Sequence, residues 1–186
     1  MPTLPPLTVI GVVRTARRAP ADTPVQSALN PDEEGVVELD PVFAPGLDGL
    51  AGFDHLWLVT WLGPAEPGRA PGEPPPLLQV PFLRRPDPRT VGVFATRGPR
   101  RVNPLGLSLV RVVAVEVALI RFAGVDLVDG TPVIDLKPYV AAFDRPAAPG
   151  RSGWFDETPL PAGATPASLA EAARRVTGSP GGAGPR

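Results

Sequence analysis

The chain has 186 residues, 43% hydrophobic and 20% charged, a balance that suits one soluble globular domain with a real core and a tail. Its 18 Lys and Arg against 19 Asp and Glu leave a net charge of −1, so no global positive field draws in nucleic acid or an anionic membrane; any basic footprint must be local. Cysteine is absent and His55 is the only histidine, which excludes disulfides and thiolate metal sites and leads us to expect a metal-free protein of a reducing cytoplasm.

The first six residues have neither the basic cap nor the apolar run of a secretory signal, and no apolar stretch approaches the ~20 residues of a membrane-spanning helix. Residues 7–14 read as a first strand, rich in β-branched side chains. Residues 17–34 form a long polar loop containing Thr23-Pro24-Val25-Gln26, of a length that in compact domains is functional or disordered. A second strand is expected at 35–39, a turn or single helical turn at 45–50, and a third strand at 54–62. That third strand alternates His55, Trp57, Val59 and Trp61 with Leu56, Leu58, Thr60 and Leu62, so both faces read as buried, and the two tryptophans as core. A Pro/Gly loop follows at 63–76, then strands at 77–83 and 91–96 around a charged turn. Residues 108–122 are almost continuous β-former, too long for one ordinary strand; they require a hairpin or bend, though no Gly or Asn marks it. Short strands at 125–126 and 133–136 flank the Asp129-Gly130 turn.

The 28 prolines and 20 glycines mostly punctuate these strands as turns do. From Arg145 onward Ala, Pro and Gly dominate, with one helix expected at 166–176, capped by Thr165, and a disordered end at 178–186. The organisation is therefore a domain at 1–144 and an Ala/Pro/Gly-rich segment at 145–186. The fold class is mainly β: a single barrel-like domain of mostly antiparallel strands with a short C-terminal helix.

Polar groups concentrate in three motifs: Gly92-Val93-Phe94-Ala95-Thr96-Arg97, then Arg101-Val102-Asn103-Pro104-Leu105-Gly106-Leu107-Ser108, then Asp126-Leu127-Val128-Asp129-Gly130-Thr131-Pro132 running on to Asp135-Leu136-Lys137-Pro138-Tyr139. Singly, each has an ordinary structural explanation. His55 on an apolar strand fits a core histidine, Asp129-Gly130 and Asn103-Pro104 fit turns, and Arg97, Arg100 and Arg101 fit a solvated loop. Held together at strand ends, they fit a binding site.

These motifs resemble the TrmO family, also called YaeB or TsaA-like. Ile10-Gly11-Val12-Val13-Arg14 is similar to its opening strand and Phe53-Asp54-His55-Leu56-Trp57 to its F-S-H-L-W. The likeness runs from residue 8 to 144 in the family's order. It implies a β-barrel methyltransferase that uses S-adenosylmethionine and methylates N6 of an adenosine in the tRNA anticodon loop, in the characterised branch the threonylcarbamoyl-modified adenosine 3′ of the anticodon. It also implies a homodimer with the cofactor pocket near the subunit interface. Carried over by position, the cofactor contacts are Pro24, Val25, Gln26, His55, Leu56, Arg97, Leu107, Asp126, Leu127, Val128 and Asp129. The substrate side is Arg97, Arg100, Arg101, Asn103, Lys137 and Tyr139. The chain departs from the family pattern at Val102, where proline is usual, and at Val25, where one branch carries arginine. It is closer to the shorter branch, which lacks a C-terminal extension.

Methyl transfer to N6 needs alignment, exclusion of water and a proton acceptor. Asn103 presents the donor and acceptor that orienting an adenine edge requires. His55, Asp126 and Asp129 are the proton acceptors on offer, and sequence leaves the choice open. Arg97 suits a carboxylate or phosphate by a two-pronged contact, and Arg100 and Arg101 suit flanking phosphates. Two other readings accompany this one: the same cofactor with a small-molecule or other non-tRNA acceptor, and a non-enzymatic barrel that binds the cofactor or another protein.

Overall fold

The computed structural model describes residues 6–63, 76–81, 89–148, 150–157 and 165. Eight strands run in chain order: β1 Gly11–Arg14, β2 Glu34–Leu39, β3 His55–Trp61, β4 Leu78–Gln79, β5 Val91–Gly92, β6 Leu105–Glu116, β7 Leu119–Ala123 and β8 Pro132–Pro138. Six of them close into an antiparallel barrel in the order β1-β2-β7-β6-β3-β8, while β4 and β5 make a separate two-stranded ribbon. Closure leaves no unpaired barrel edge, and alternate side chains fill the interior. Val13, Val37, Leu56, Leu58, Val110, Ile120, Phe122 and Val133 are buried there, and Leu47, Leu50, Val125 and Leu127 join the same cluster. The mainly β, barrel-like expectation from composition and turn spacing is met.

Small residues set the closest approaches. A Cβ on Gly11 would lie 2.4 Å from the Glu38 carbonyl oxygen and 2.9 Å from Leu39 Cα, so β1 packs against β2 backbone to backbone. Gly35 makes room for the Phe122 ring, and Gly106 for the Thr60 hydroxyl.

The hairpin hidden in residues 108–122 turns at Val117 and Ala118, between the paired Glu116 and Leu119. Ala118 takes φ 58°, the one positive φ among the described non-glycine residues, and its carbonyl accepts from Leu39 N at 2.9 Å. Tertiary pairing imposes a left-handed turn on a residue that does not favour it, which is why no Gly or Asn marks the position.

Several expected elements differ. Pairing begins at Ile10, whose amide donates to the Val133 carbonyl (2.8 Å), so Leu7 and Val9 lie before the strand and are exposed. Residues 91–96 are strand only at Val91–Gly92. Val93–Ala95 then forms a tight turn, because the Thr96 hydroxyl and amide both donate to the Val93 carbonyl, at 2.8 and 3.2 Å. Val125-Asp126 is loop rather than strand, its Val125 carbonyl taken by the Asn30 side chain at 2.8 Å. Trp57 and Trp61 are half-buried on the barrel's outer face instead of in the core, because the inward positions of β3 belong to Leu56, Leu58 and Thr60. The helix expected at 166–176 and the end at 178–186 lie outside the described residues, as do most of the 63–76 loop and part of the 77–83 strand. No helix among the described residues is long and apolar enough to cross a membrane.

Candidate cofactor and substrate site

The site forms where the long 17–34 loop folds back on one end of the barrel. The loop is ordered by local chemistry: turns at Pro20–Asp22 and Ser27–Leu29, and an Arg17–Glu33 ion pair that clasps its two ends. Asn30 Nδ2 donates to Glu33 and to the Val125 carbonyl (2.7 and 2.8 Å), and Gly124 N donates to the Glu33 carbonyl at 3.0 Å. The loop is thereby tied to residues 124–126.

Asp126 is the junction. Its Oδ2 accepts from the Ser27 amide at 2.9 Å and its Oδ1 from the Ser108 hydroxyl at 2.7 Å. Burial pushes this carboxyl from the ordinary aspartate value of 3.8 up to about 6, against the opposing pull of the Ser108 and Ser27 hydrogen bonds and the positive charge of Arg97. Arg97 itself lies across the top of β6, with Nη2 3.5 Å from the Leu107 carbonyl oxygen. One carboxylate thus gathers the segment beside Pro24-Val25-Gln26, the Leu107-Ser108 stretch and the field of Arg97. Ser108, Ser27 and the residue's own amide all donate to this carboxylate, which keeps acceptor capacity for one further partner.

Asp129, three residues on, faces elsewhere. Its Oδ1 accepts from Thr15 N at 3.1 Å, and its Oδ2 pairs with Arg18. It lines a cleft of about 480 Å³ on the outer face of β1, β2 and β7 with Arg14, Glu34 and Arg121, each arginine there opposite a carboxylate. Between the two aspartates, Leu127 is buried in the core and Val128 is half-buried. The Leu127 and Val128 carbonyls accept from the Thr15 and Thr131 hydroxyls, at 3.1 and 2.6 Å. The Asp129-Gly130 turn is held against β1 by Asp129 N to the Arg17 carbonyl and Gly130 N to the Val13 carbonyl, both 2.8 Å.

The other residues singled out in the sequence fall into three places. Pro24 is buried, Val25 and Gln26 are half-buried in the folded-back loop, and the Gln26 amide donates to its neighbour's carbonyl at 2.6 Å. Arg100, Arg101, Asn103 and Arg97 share the loop leading into β6. There Arg101 Nη1 donates to the Thr96 carbonyl (3.1 Å), and the Asn103 carbonyl caps Leu105 N at 2.8 Å. His55, Lys137 and Tyr139 gather at the β3–β8 end: the Tyr139 ring lies edge-on to His55 (centroids 6.3 Å) and tilted against Trp57 (6.2 Å), while Lys137 pairs with Asp135 at 2.8 Å. Leu56, fully buried, points into the core, so its side chain serves packing.

Ser27 and Ser108 escaped the sequence reading. The signal for Ser108 was its phase: β6 turns Gly106, Ser108 and Val110 inward, and a hydroxyl on an inward position needs a polar partner. Ser27 contributes only its backbone amide, which no side-chain pattern reveals.

The outer wall beside this site is apolar. Across β3 and β6, Trp57 faces Leu109, Val59 faces Leu107 and Trp61 faces Leu105. Leu105 and Leu107 are 43% and 50% exposed, and an apolar cleft of about 310 Å³ among Leu7, Val9, Trp61, Pro132 and Ile134 extends the wall.

A closed antiparallel β-barrel with a folded-back loop, a half-buried carboxylate and an arginine at one end is the class of structure this chain presents. Residues 12–145 match the family model of the tRNA-methyltransferase O N-terminal domain, and the chain belongs to that family. A Pyrococcus abyssi protein named as a probable S-adenosyl-L-methionine-binding protein is 37% identical over 148 residues, covering 80% of this chain and 74% of its own. The Escherichia coli tRNA (adenine(37)-N6)-methyltransferase is 35% identical over 138 residues, covering 70% of this chain and 56% of that protein. The crystal structure of TrmO from Pseudomonas aeruginosa matches with a TM-score of 0.67 at 33% identity, over 85% of this chain and 66% of that one. The chain therefore spans just under two thirds of the solved Pseudomonas chain and little over half of the Escherichia coli enzyme.

Proposed function

We propose that this protein is an S-adenosylmethionine-dependent methyltransferase acting on N6 of an adenosine in the tRNA anticodon loop, with the threonylcarbamoyl-modified adenosine 3′ of the anticodon as preferred acceptor. The observation that carries the reading is the junction at Asp126, where the Ser27 amide, the Ser108 hydroxyl and the charge of Arg97 meet on one half-buried carboxylate. A half-buried, destabilised carboxylate with spare acceptor capacity is where function is expected. The names of the Pyrococcus and Escherichia coli relatives support the same reading.

The donor set fits the cofactor. Asp126 offers an acceptor position for a hydroxyl or ammonium group, Arg97 a fork for a carboxylate, and Leu107 apolar surface for a purine. Once bound, the cofactor supplies a sulfonium methyl group that needs no further activation. The chain's part is to orient the acceptor and remove its proton. Asn103, Arg100 and Arg101 lie on one loop, placed to read an adenine edge and flanking phosphates of a single-stranded loop. Of the three proton acceptors the sequence offers, Asp126 is the one whose surroundings bring its carboxyl to about 6. Asp129 instead holds Arg18 and the turn.

The half-buried Trp57, Val59, Trp61 and Leu109 with the exposed Leu105 and Leu107 form an outward apolar wall that supports a homodimer, since apolar strips of this kind mark association surfaces. The Leu107 side chain lies on this wall while its carbonyl accepts from Arg97, so a partner docked there would lie beside the proposed pocket. We assign the protein to the cytoplasm, with no membrane partner and no metal.

The test is nucleoside mass spectrometry of tRNA incubated with the protein and methyl-labelled S-adenosylmethionine. Label in the N6-methylated, threonylcarbamoyl-modified adenosine is expected. Cofactor binding without label in any tRNA nucleoside would overturn the acceptor assignment and favour a non-tRNA acceptor. Absence of cofactor binding by calorimetry would overturn the pocket itself.

A further inference from the structure

Residues 150–157 lie beyond the matched family domain, in a stretch whose composition promised only a tail. Yet the chain returns to the site. After exposed residues at 145–148, the turn Gly153–Glu157 brings Trp154 and Phe155 to half-buried positions with their rings stacked, centroids 4.0 Å apart and 24° between planes. The Trp154 indole N–H donates to the Ala95 carbonyl at 2.7 Å, two residues before Arg97. A second attachment, Arg89 to Glu157 at 3.5 Å, ties the same turn to the strand that leads into this loop. Ser152 N donates to Asp156 at 3.0 Å and closes the turn on itself.

The loop bearing Arg97 is also held by the buried Val93, whose amide donates to the Leu77 carbonyl (2.8 Å), by Arg101 on the Thr96 carbonyl and by the Gln79 side chain on the Arg100 carbonyl (2.5 Å). Ala95 is exposed, so its carbonyl had water available; an indole directed there, braced by a stacked ring, fixes the backbone just before the guanidinium. We infer that Trp154 is a positioning residue for Arg97: its indole–Ala95 hydrogen bond sets the reach of the guanidinium over Leu107 and Asp126, which makes residues 150–157 part of the methyltransferase site. The inference rests on the reading of Arg97 as a cofactor-holding group.

A double-mutant cycle in the full chain tests it, with Trp154→Phe, Arg97→Ala and the pair. Phenylalanine keeps an aromatic ring to stack on Phe155 and removes the N–H donor together with part of the indole surface. Trp154→Phe should weaken S-adenosylmethionine binding by about threefold to tenfold, the worth of one hydrogen bond. It should raise KM with little change in kcat, and have no further effect once Arg97 is alanine. Additive effects of the two substitutions, or wild-type affinity in Trp154→Phe while Arg97→Ala binds weakly, would overturn the positioning role and leave the pocket intact. Wild-type affinity in Arg97→Ala would overturn the pocket reading and this inference together.

Discussion

The sharpest consequence of the Asp126 junction concerns stability against pH. The folded protein holds this carboxyl at about 6 against 3.8 in an exposed aspartate, a difference of about two units, or about 3 kcal/mol of cost to the ionised form. A raised acid binds its proton more tightly when folded. The contribution is therefore most favourable below pH 3.8, declines as pH rises towards 6, and stays at its lower value above that. Asp126→Asn removes the ionisation. The amide oxygen can still accept from Ser27 N, and its NH₂ can donate to Ser108, whose hydroxyl becomes the acceptor. With about 1 kcal/mol lost to imperfect replacement of those bonds, the variant should be about 2 kcal/mol more stable than the parent at pH 7.5. That corresponds to a rise in Tm of about 4–8 °C for a chain of this size. At pH 3.5 the two proteins should be equally stable or the variant slightly weaker. Urea unfolding of both across pH 3.5–8 measures the difference curve. The Glu33 carboxyl, held down chiefly by its hydrogen bonds from Arg17, acts with the opposite sign, losing its stabilisation as pH falls through its folded value; it is common to both proteins and cancels. A difference curve flat with pH, or an asparagine variant less stable at neutral pH, would refute the account of Asp126 as a carboxylate kept at a net cost. The same variant should lose most methyl transfer and, in what remains, the acid limb of the kcat/KM profile near pH 6.

Ser108→Ala removes a hydrogen bond that holds the Asp126 carboxyl down, so the acid limb of kcat/KM should move above 6 while stability falls by about 1 kcal/mol; an unmoved limb would exclude Asp126 as its source. Leu107→Glu places a charge in the apolar β3–β6 wall and should yield monomers by sedimentation equilibrium, provided the parent is a dimer by the same measurement. Thr60 carries a fully buried hydroxyl oxygen with no hydrogen-bond partner among the described residues, so Thr60→Val should raise stability by about 1 kcal/mol in urea titration. Gly11→Ala drives a methyl group to 2.4 Å from the Glu38 carbonyl oxygen, backbone against backbone, and should cost about 3 kcal/mol or prevent folding.

What could be read from the sequence follows the physical range of each interaction. Four of the barrel strands were legible singly, and β6 with β7 as one stretch that had to fold back, because alternation and β-branching are local. The 91–96 segment looked like another strand by the same local criteria, yet Val93 is drawn into the interior and the Thr96 hydroxyl closes a turn on it, a choice made by tertiary packing. The hairpin at Val117-Ala118 carries no turn residue because its neighbour, the Leu39 amide, fixes the backbone from another strand. For the candidate site, the structure divides what the sequence joined. Asp126 and Asp129 are three residues apart, but one faces Ser27 and Ser108 while the other faces Thr15 and Arg18. On a loop whose middle residue, Leu127, is buried in the core, the carboxylates to either side are sent to different surfaces.

That division bears on how the barrel would handle a charged cofactor beside a nucleic acid. The chain is nearly neutral overall, and on the β1–β2–β7 face every arginine of the cleft stands opposite a carboxylate. Exposed pairs of this kind contribute little to stability but cancel the field that would hold RNA there. On the other side of the 125–130 loop, Arg97 and Arg101 engage only backbone carbonyls, Leu107 and Thr96, among the bonds resolved for them. Their charge is left uncompensated apart from Asp126, which burial brings close to half-protonation near pH 6. The charges of Arg97 and Arg101 thus stand at the rim that carries the proposed pocket, where they would meet a phosphate backbone despite the chain's net charge of −1. If so, Arg101→Ala should lower tRNA affinity and flatten its salt dependence, whereas Arg121→Ala, in the paired cleft, should change neither. Equal losses from the two substitutions in filter binding across 50–200 mM salt would place the RNA on the wrong face of the barrel in this account.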